Sequence, residues 1–194
     1  MRSLLMAASV FIGANSYASS IVASGNKITK TYSVRGIENV EVNGYFKVNM
    51  TKGSASNLKI KGDDNLVPHI KVEANSKKLK VYLNLDYESP IPFEVNFSSS
   101  KLREYKANGN VNASINGYDE KEIDISVSGN SLVNLQKTIV DHLSLELVGK
   151  NEAILGEVTT LTGDISKGLN SVSIPRKTDV SGLRKSVPST IIYR

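Results

Sequence analysis

The chain has 194 residues, no cysteine, two histidines and a formal net charge of +5. No thiol is present for disulfides or thiolate chemistry, and two histidines fall short of the usual three-ligand zinc site. The basic excess of the chain beyond its first eighteen residues lies in Pro175–Arg194, where Arg176, Lys177, Arg184, Lys185 and Arg194 face Asp179 alone, so the balanced body argues against nucleic-acid binding.

Residues 1–18 read as a secretory signal. Arg2 is followed by a short apolar run, Leu4–Ile12, and then by Ser16 and Ala18 at the −3 and −1 positions of a cut after Ala18. The run is too short to cross a bilayer of roughly 30 Å, and no later segment is long enough either. The mature chain is therefore expected to start at Ser19, in the periplasm, on the outer surface or in the medium. Residues 19–174 are expected to form one domain and 175–194 a basic segment that caps it.

Alternating runs then predict strands with one buried and one wet face: Val40-x-Val42, Phe46-x-Val48-x-Met50, Leu58-x-Ile60, Leu79-x-Val81-x-Leu83 and Phe93-x-Val95-x-Phe97. Leu66–Glu73 and Lys78–Leu83 read as a hairpin around Asn75-Ser76-Lys77. Pro68 suggests an edge or bulge, and Asn84–Pro92 a surface loop. Ile123-x-Ile125-x-Val127 and Leu143-x-Leu145-x-Leu147 continue the pattern.

The runs are punctuated by Gly109, Gly129, Gly149 and Gly168, spaced 20, 20 and 19 apart. The same frame fits Gly44, with Gly62 read as the next corner. Apolar residues recur two and four places before most of these glycines; two, four and six places after Gly44, Gly109, Gly129, Gly149 and Gly168 the same frame holds Phe46, Val111, Ser131, Asn151 and Asn170, then Val48, Ala113, Val133, Ala153 and Val172, then Met50, Ile115, Leu135, Leu155 and Ile174. Before Gly168 the frame is poor, which predicts a one-residue shift or a polar end rung. Such a repeat predicts an all-β, parallel β-helix-like solenoid with glycine corners and about 18–20 residues per coil, in which stacking closes a core that one rung cannot. Asn110 and Asn130 directly follow their glycines, a place where asparagine tolerates left-handed backbone. A meander or sandwich with similar turn spacing is the alternative.

Val34–Val48, with Gly36, Val40, Val42 and Gly44, then Asp64–Ile70, Lys78–Tyr82 and Leu102–Val111 follow one another in the order and spacing of a known bacterial group. Over about Ser33–Ile174 the chain resembles the family named putative auto-transporter adhesin head, GIN domain. The resemblance implies a parallel β-helix-like fold in an exported protein and carries no known activity. Family members often have Gly-Ser-Gly corners, which here read Asn-Gly-Asn, Ser-Gly-Asn and Val-Gly-Lys-Asn.

No catalytic phrase is found. His69 adjoins Pro68 in an expected strand, and His142 follows Asp141 in a strand, where neighbours point apart. No nucleophile elbow or phosphate-cradling glycine loop occurs. Asp119–Asp124 and Gly62–Asn65 are the acidic stretches. Calcium would use such oxygens, but Glu122 and Asp124 alternate with Ile123 and Ile125 as the wet side of a strand. No cofactor and no metal site follow. Candidate ligand contacts are Tyr45 and Tyr82, whose neighbours Phe46 and Val81 point inward, and Arg176, Lys177, Arg184 and Lys185. The reading is an exported, non-enzymatic binding or structural module of the envelope or surface, adhesin-like, with polysaccharide, lipopolysaccharide or a surface protein as partner. The alternative is a polysaccharide lyase or glycosidase on the same scaffold, built from acids that stacked rungs bring together.

Overall fold

The computed structural model describes residues 20–54 and 57–194; the signal-like segment and the Ser19 start lie outside them. Among the described residues fifteen strands form: β1 (Ile21–Val22), β2 (Lys27–Ser33), β3 (Asn39–Lys52), β4 (Asn57–Asp63), β5 (Ile70–Ala74), β6 (Lys78–Leu83), β7 (Tyr87–Glu88), β8 (Phe93–Ser99), β9 (Glu104–Asn116), β10 (Asp119–Gly129), β11 (Leu132–Gly149), β12 (Glu152–Gly168), β13 (Ser171–Ile174), β14 (Asp179–Arg184) and β15 (Thr190–Tyr193). The fold is all-β, and the main sheet stays open rather than closing into a barrel. Among the described residues no helix is long and apolar enough to cross a membrane.

Through β3 and β9–β13 the ladder is parallel and its register follows the sequence repeat. Gly44 pairs with Gly109, Gly109 with Gly129, Gly129 with Gly149 and Gly149 with Gly168. All five have positive φ, between 108° and 133°. A Cβ on Gly109 would lie 2.6 Å from the Gly44 carbonyl oxygen, and one on Gly129, Gly149 or Gly168 would strike the carbonyl of the glycine one rung below. Glycine is therefore required twice over in this column, by backbone angle and by the approach of the neighbouring rung.

On either side of the column alternate residues turn inward. Ile123, Ile125 and Val127 precede Gly129, Leu143, Leu145 and Leu147 precede Gly149, and Val111, Ala113 and Ile115 follow Gly109; all lie in one continuous core with Phe46, Val48 and Met50. The poor frame before Gly168 is a one-residue shift. The β11–β12 register slips between Glu146 and Val148, so that Ile165 fills the inward slot, fully buried. The Asp164 carboxylate accepts the Ser166 N–H and hydroxyl at 2.8 and 2.5 Å and braces the bulge.

The N-terminal end departs from the repeat. β4 pairs antiparallel with β2 and β8, and β8 pairs parallel with β3. Gly62 is therefore not a corner. It lies in β4 without positive φ, where a Cβ would collide with the Phe93 ring. The expected hairpin forms as β5 and β6, with the Asn75 side chain accepting the N–H groups of Lys77 and Lys78. Pro68 sits in a short 3₁₀ turn, Val67–His69, rather than at a strand edge or bulge; its fixed φ suits that position. No non-glycine residue among those described has positive φ, so Asn110 and Asn130 do not use left-handed backbone.

Candidate functional site

Beside the glycine column the residues two places on, Ser131, Asn151, Asn170 and, after the last turn, Ser189, form a polar ladder. The Val111 N–H donates to the Ser131 hydroxyl at 3.0 Å, the Ser131 N–H to the Asn151 amide oxygen at 3.1 Å, and the Asn151 N–H to the Asn170 amide oxygen at 3.2 Å. The Asn170 N–H reaches the Ser189 hydroxyl at 3.4 Å. The buried Asn170 amide nitrogen also donates to the carbonyls of Leu147, Ile165 and Lys167, each at 3.2 Å. These side chains satisfy the backbone that the bends leave unpaired.

One residue closer to each glycine the side chains point outward instead. Tyr45, Asn110, Asn130, Lys150 and Leu169 stack in a row across the rungs and line a groove of about 680 Å³ with Pro92, Asn112, Leu132, Glu152 and Ser171. Their backbones are fixed by the ladder: the N–H groups of Asn130, Lys150 and Leu169 donate to the carbonyls of Gly109, Gly129 and Gly149 at 2.7–2.9 Å. The amides of Asn110, Asn112 and Asn130 take no hydrogen bond from other described side chains or backbone, unlike those of Asn151 and Asn170 beneath them. Lys150 and Glu152 carry opposite charges, so the lining is electrically balanced. The sequence offered Asn110 and Asn130 only as turn residues; the signal for the groove was their place one after glycine, outside the inward frame.

Of the residues expected to contact a ligand, Tyr45 lies in this groove. Tyr82 is next to Asn43, on the other side of the Gly44 bend. Its hydroxyl donates to Glu73 at 2.6 Å and Lys80 stands 5.1 Å from its ring centre. The Glu73 carboxylate beside it pushes the phenol pKa up. The four basic residues divide. Arg176 and Lys177 lie in the exposed turn before β14, and Arg184 and Lys185 at its far end, where Arg184 reaches Asp164 at 3.5 Å. Six strand residues separate the pairs by roughly 20 Å, so they do not form one cluster.

The acidic stretch lines a second groove of about 680 Å³ with Glu104, Lys101 and Arg103. Asp124 and Glu104 are opposite each other in adjacent strands, and Lys106 holds Glu104 at 2.5 Å. Ile123 and Ile125 are buried while Glu122 and Asp124 are exposed, the arrangement of a strand's wet side. Among the described residues no three acids or histidines converge on a point that could hold a metal. At Gly62–Asn65, Asp63 is buried against Lys27 at 2.6 Å, and that ammonium holds its carboxyl below the usual range; Asp64 accepts the Ser24 hydroxyl. His69 and His142 are both exposed.

The geometry is thus that of an all-β chain with a parallel repeat and a row of outward residues beside its glycine column. The chain is a member of the family described as putative auto-transporter adhesin, head GIN domain, whose model matches residues 36–170. Among solved structures it is similar to one named as a putative lipid binding protein from Parabacteroides distasonis, at 14% identity and a TM-score of 0.61, over 90% of this chain and 97% of that one. A structure named as a putative adhesin from Bacteroides fragilis matches at 14% identity and 0.56, over 90% and 100%. A second from Parabacteroides distasonis, also named as an adhesin, matches at 18% and 0.55, over 91% and 98%. At these identities the likeness shows the fold. The chain matches no protein of curated function.

Proposed function

We propose that the chain is an exported, non-enzymatic binding module of the cell envelope or surface, adhesive in role, whose contact surface is the groove beside the glycine column. The observation that carries this is the row of unengaged amides of Asn110, Asn112 and Asn130 beside Tyr45, held on a rigid parallel ladder. Rigid elements that present free donors and acceptors bind without reorganising. The scaffold reads as a β-solenoid. Two features support this: the positive-φ glycines stack in register across the rungs, and the inward residues fall three apart between Val140 and Leu143 and between Val158 and Leu161, the spacing expected at a corner. The partners this groove suits are surface polysaccharides, with lipopolysaccharide and surface proteins as the competing classes.

Purified protein is to be incubated with an array of bacterial surface polysaccharides and lipopolysaccharides. The double variant Asn110→Ala/Asn130→Ala, with its melting temperature unchanged, is expected to lose at least tenfold in bound glycan. Equal retention by the variant across the array refutes the groove as the contact surface. Export is tested separately: the protein recovered outside the cytoplasm is expected to begin at Ser19, and one still beginning at Met1 overturns that part.

A further inference from the structure

We infer that the ligand of this groove is an extended, uncharged polysaccharide that runs across the strands, with successive sugars placed on successive rungs from Tyr45 towards Lys150. The inference rests on the groove being the contact surface and concerns what lies in it.

Three observations carry it. The first is spacing. Tyr45, Asn110, Asn130 and Lys150 occupy equivalent positions on consecutive rungs. Rungs about 4.8 Å apart repeat the same surface at that interval, close to the advance of one sugar in an extended β-linked chain. From Tyr45 to Leu169 the row crosses five rungs, roughly 19 Å, enough for four or five sugars.

The second is chemistry. Each free amide offers two N–H donors and a carbonyl acceptor, the complement of a sugar hydroxyl that both gives and takes. At the end of the row stands Tyr45, whose ring can cover the apolar face of one sugar.

The third is charge. Lys150 and Glu152 balance, the remaining lining residues are uncharged, and the basic residues of the C-terminal segment do not line the groove. A polyanion would gain nothing along most of this row. A peptide strand would need a free sheet edge, and these rungs are paired on both sides. An acyl chain would find no continuous apolar floor: Phe46 and Val111 are buried, and Pro92, Leu132, Leu169 and the Tyr45 ring are interrupted by Asn110, Asn112, Asn130, Lys150 and Glu152.

The test uses calorimetric titration of the mature chain with linear uncharged oligosaccharides of two to six units. The series are β-1,4-glucose, β-1,4-N-acetylglucosamine, β-1,4-mannose and β-1,3-glucose, with dextran sulfate as the anionic comparison. At least one series is expected to bind with affinity that rises to the fourth or fifth sugar and is flat beyond. That affinity is expected to change less than twofold between low and high salt, because no phosphate-like charge is neutralised. Tyr45→Ala is expected to weaken it about tenfold and Tyr45→Phe to leave it within a factor of two, since the ring and not the hydroxyl is used. Binding of dextran sulfate alone, lost in Asn110→Ala/Asn130→Ala and falling with salt, overturns the uncharged ligand while keeping the groove. Failure of all four series, or affinity independent of chain length, overturns the inference as well. If the groove variants match the parent on every probe, the contact surface itself is misplaced.

Discussion

Replacing Gly149 by alanine tests whether the glycine column is required by both angle and contact. Its φ of +111° is one that residues with a side chain adopt only under strain of about 1–3 kcal/mol. The new Cβ also meets the Gly129 carbonyl oxygen, a backbone atom that cannot swing away, so the two rungs must part. Overpacking of this kind adds about 1–3 kcal/mol. The expected loss is therefore about 3 kcal/mol or more, and for a chain of this size it lowers the melting temperature by roughly 6–12 °C. Two companions separate the causes. Gly25 has a φ of +84° with nothing near its Cβ position, so Gly25→Ala carries angular strain alone. Gly156 lacks positive φ, but a Cβ there would strike the carbonyl oxygens of Thr138, Leu135 and Gln136, so Gly156→Ala carries a backbone collision without angular strain. Thermal melts of the three, monitored by circular dichroism, are expected to place Gly149→Ala and Gly156→Ala both below Gly25→Ala. A Gly149→Ala melt within about 2 °C of the parent, or no lower than Gly25→Ala, refutes the account of the column.

Asn170→Ala removes one buried side chain that serves three carbonyls and the Asn151 backbone N–H. Leaving those groups unpaired is expected to cost about 2–4 kcal/mol by denaturant titration, well above a surface Asn→Ala change such as Asn112→Ala. Glu41 is held at a pKa of about 2, first by the Lys78 ammonium at 2.8 Å and then by Asn43 and Lys80. A carboxyl whose folded pKa is depressed adds stability that is full above its unfolded value of 4.5 and disappears as the pH falls towards 2. Glu41→Gln is accordingly expected to flatten the fall of melting temperature across that window, and an unchanged acid limb counts against the Lys78 pairing. In the C-terminal segment, changing Arg176, Lys177, Arg184 and Lys185 to Gln is expected to weaken binding to lipopolysaccharide and its salt dependence while stability holds, because these residues are exposed. Deleting Ile191–Arg194 is expected to lower the melting temperature, since β15 is the strand that covers β13.

Much of this architecture was legible in the sequence for a plain reason: in a parallel stack each rung repeats the last. Gly109, Gly129 and Gly149 pair in register on neighbouring parallel strands, so an interval of twenty residues announces a contact between strands. The same logic misled at Gly62. Its spacing from Gly44 is nearly the same interval, but β4 runs antiparallel there and the glycine makes room for the Phe93 ring. Direction of pairing leaves no trace in alternation, because both kinds of ladder bury every second residue. The one-residue slip before Gly168 was visible as a broken frame, while the bulge that absorbs it depends on Asp164 holding Ser166, a contact that spacing does not encode. The groove was half legible. Tyr45 stood out by type, whereas Asn110 and Asn130 stood out only once the polar ladder of Ser131, Asn151 and Asn170 had been assigned to the backbone. The basic segment was legible as composition but not as geometry, since β14 places its two charged pairs at opposite ends.

The place of β3 has a consequence for how the chain assembles. It is made before β6, β8 and β9, yet lies between them, with β6 and β8 on one flank and β9 on the other. Joining Gly44 to Gly109 closes a loop of 65 residues, whereas each later rung closes only about 20. That difference amounts to about 1 kcal/mol of extra chain entropy at a single joint. A polypeptide emerging amino end first thus carries a template with two open edges and no rung yet to lay on it. Growth then proceeds outward in both directions: the antiparallel cap closes one side, and cheap local connections extend the other one rung at a time.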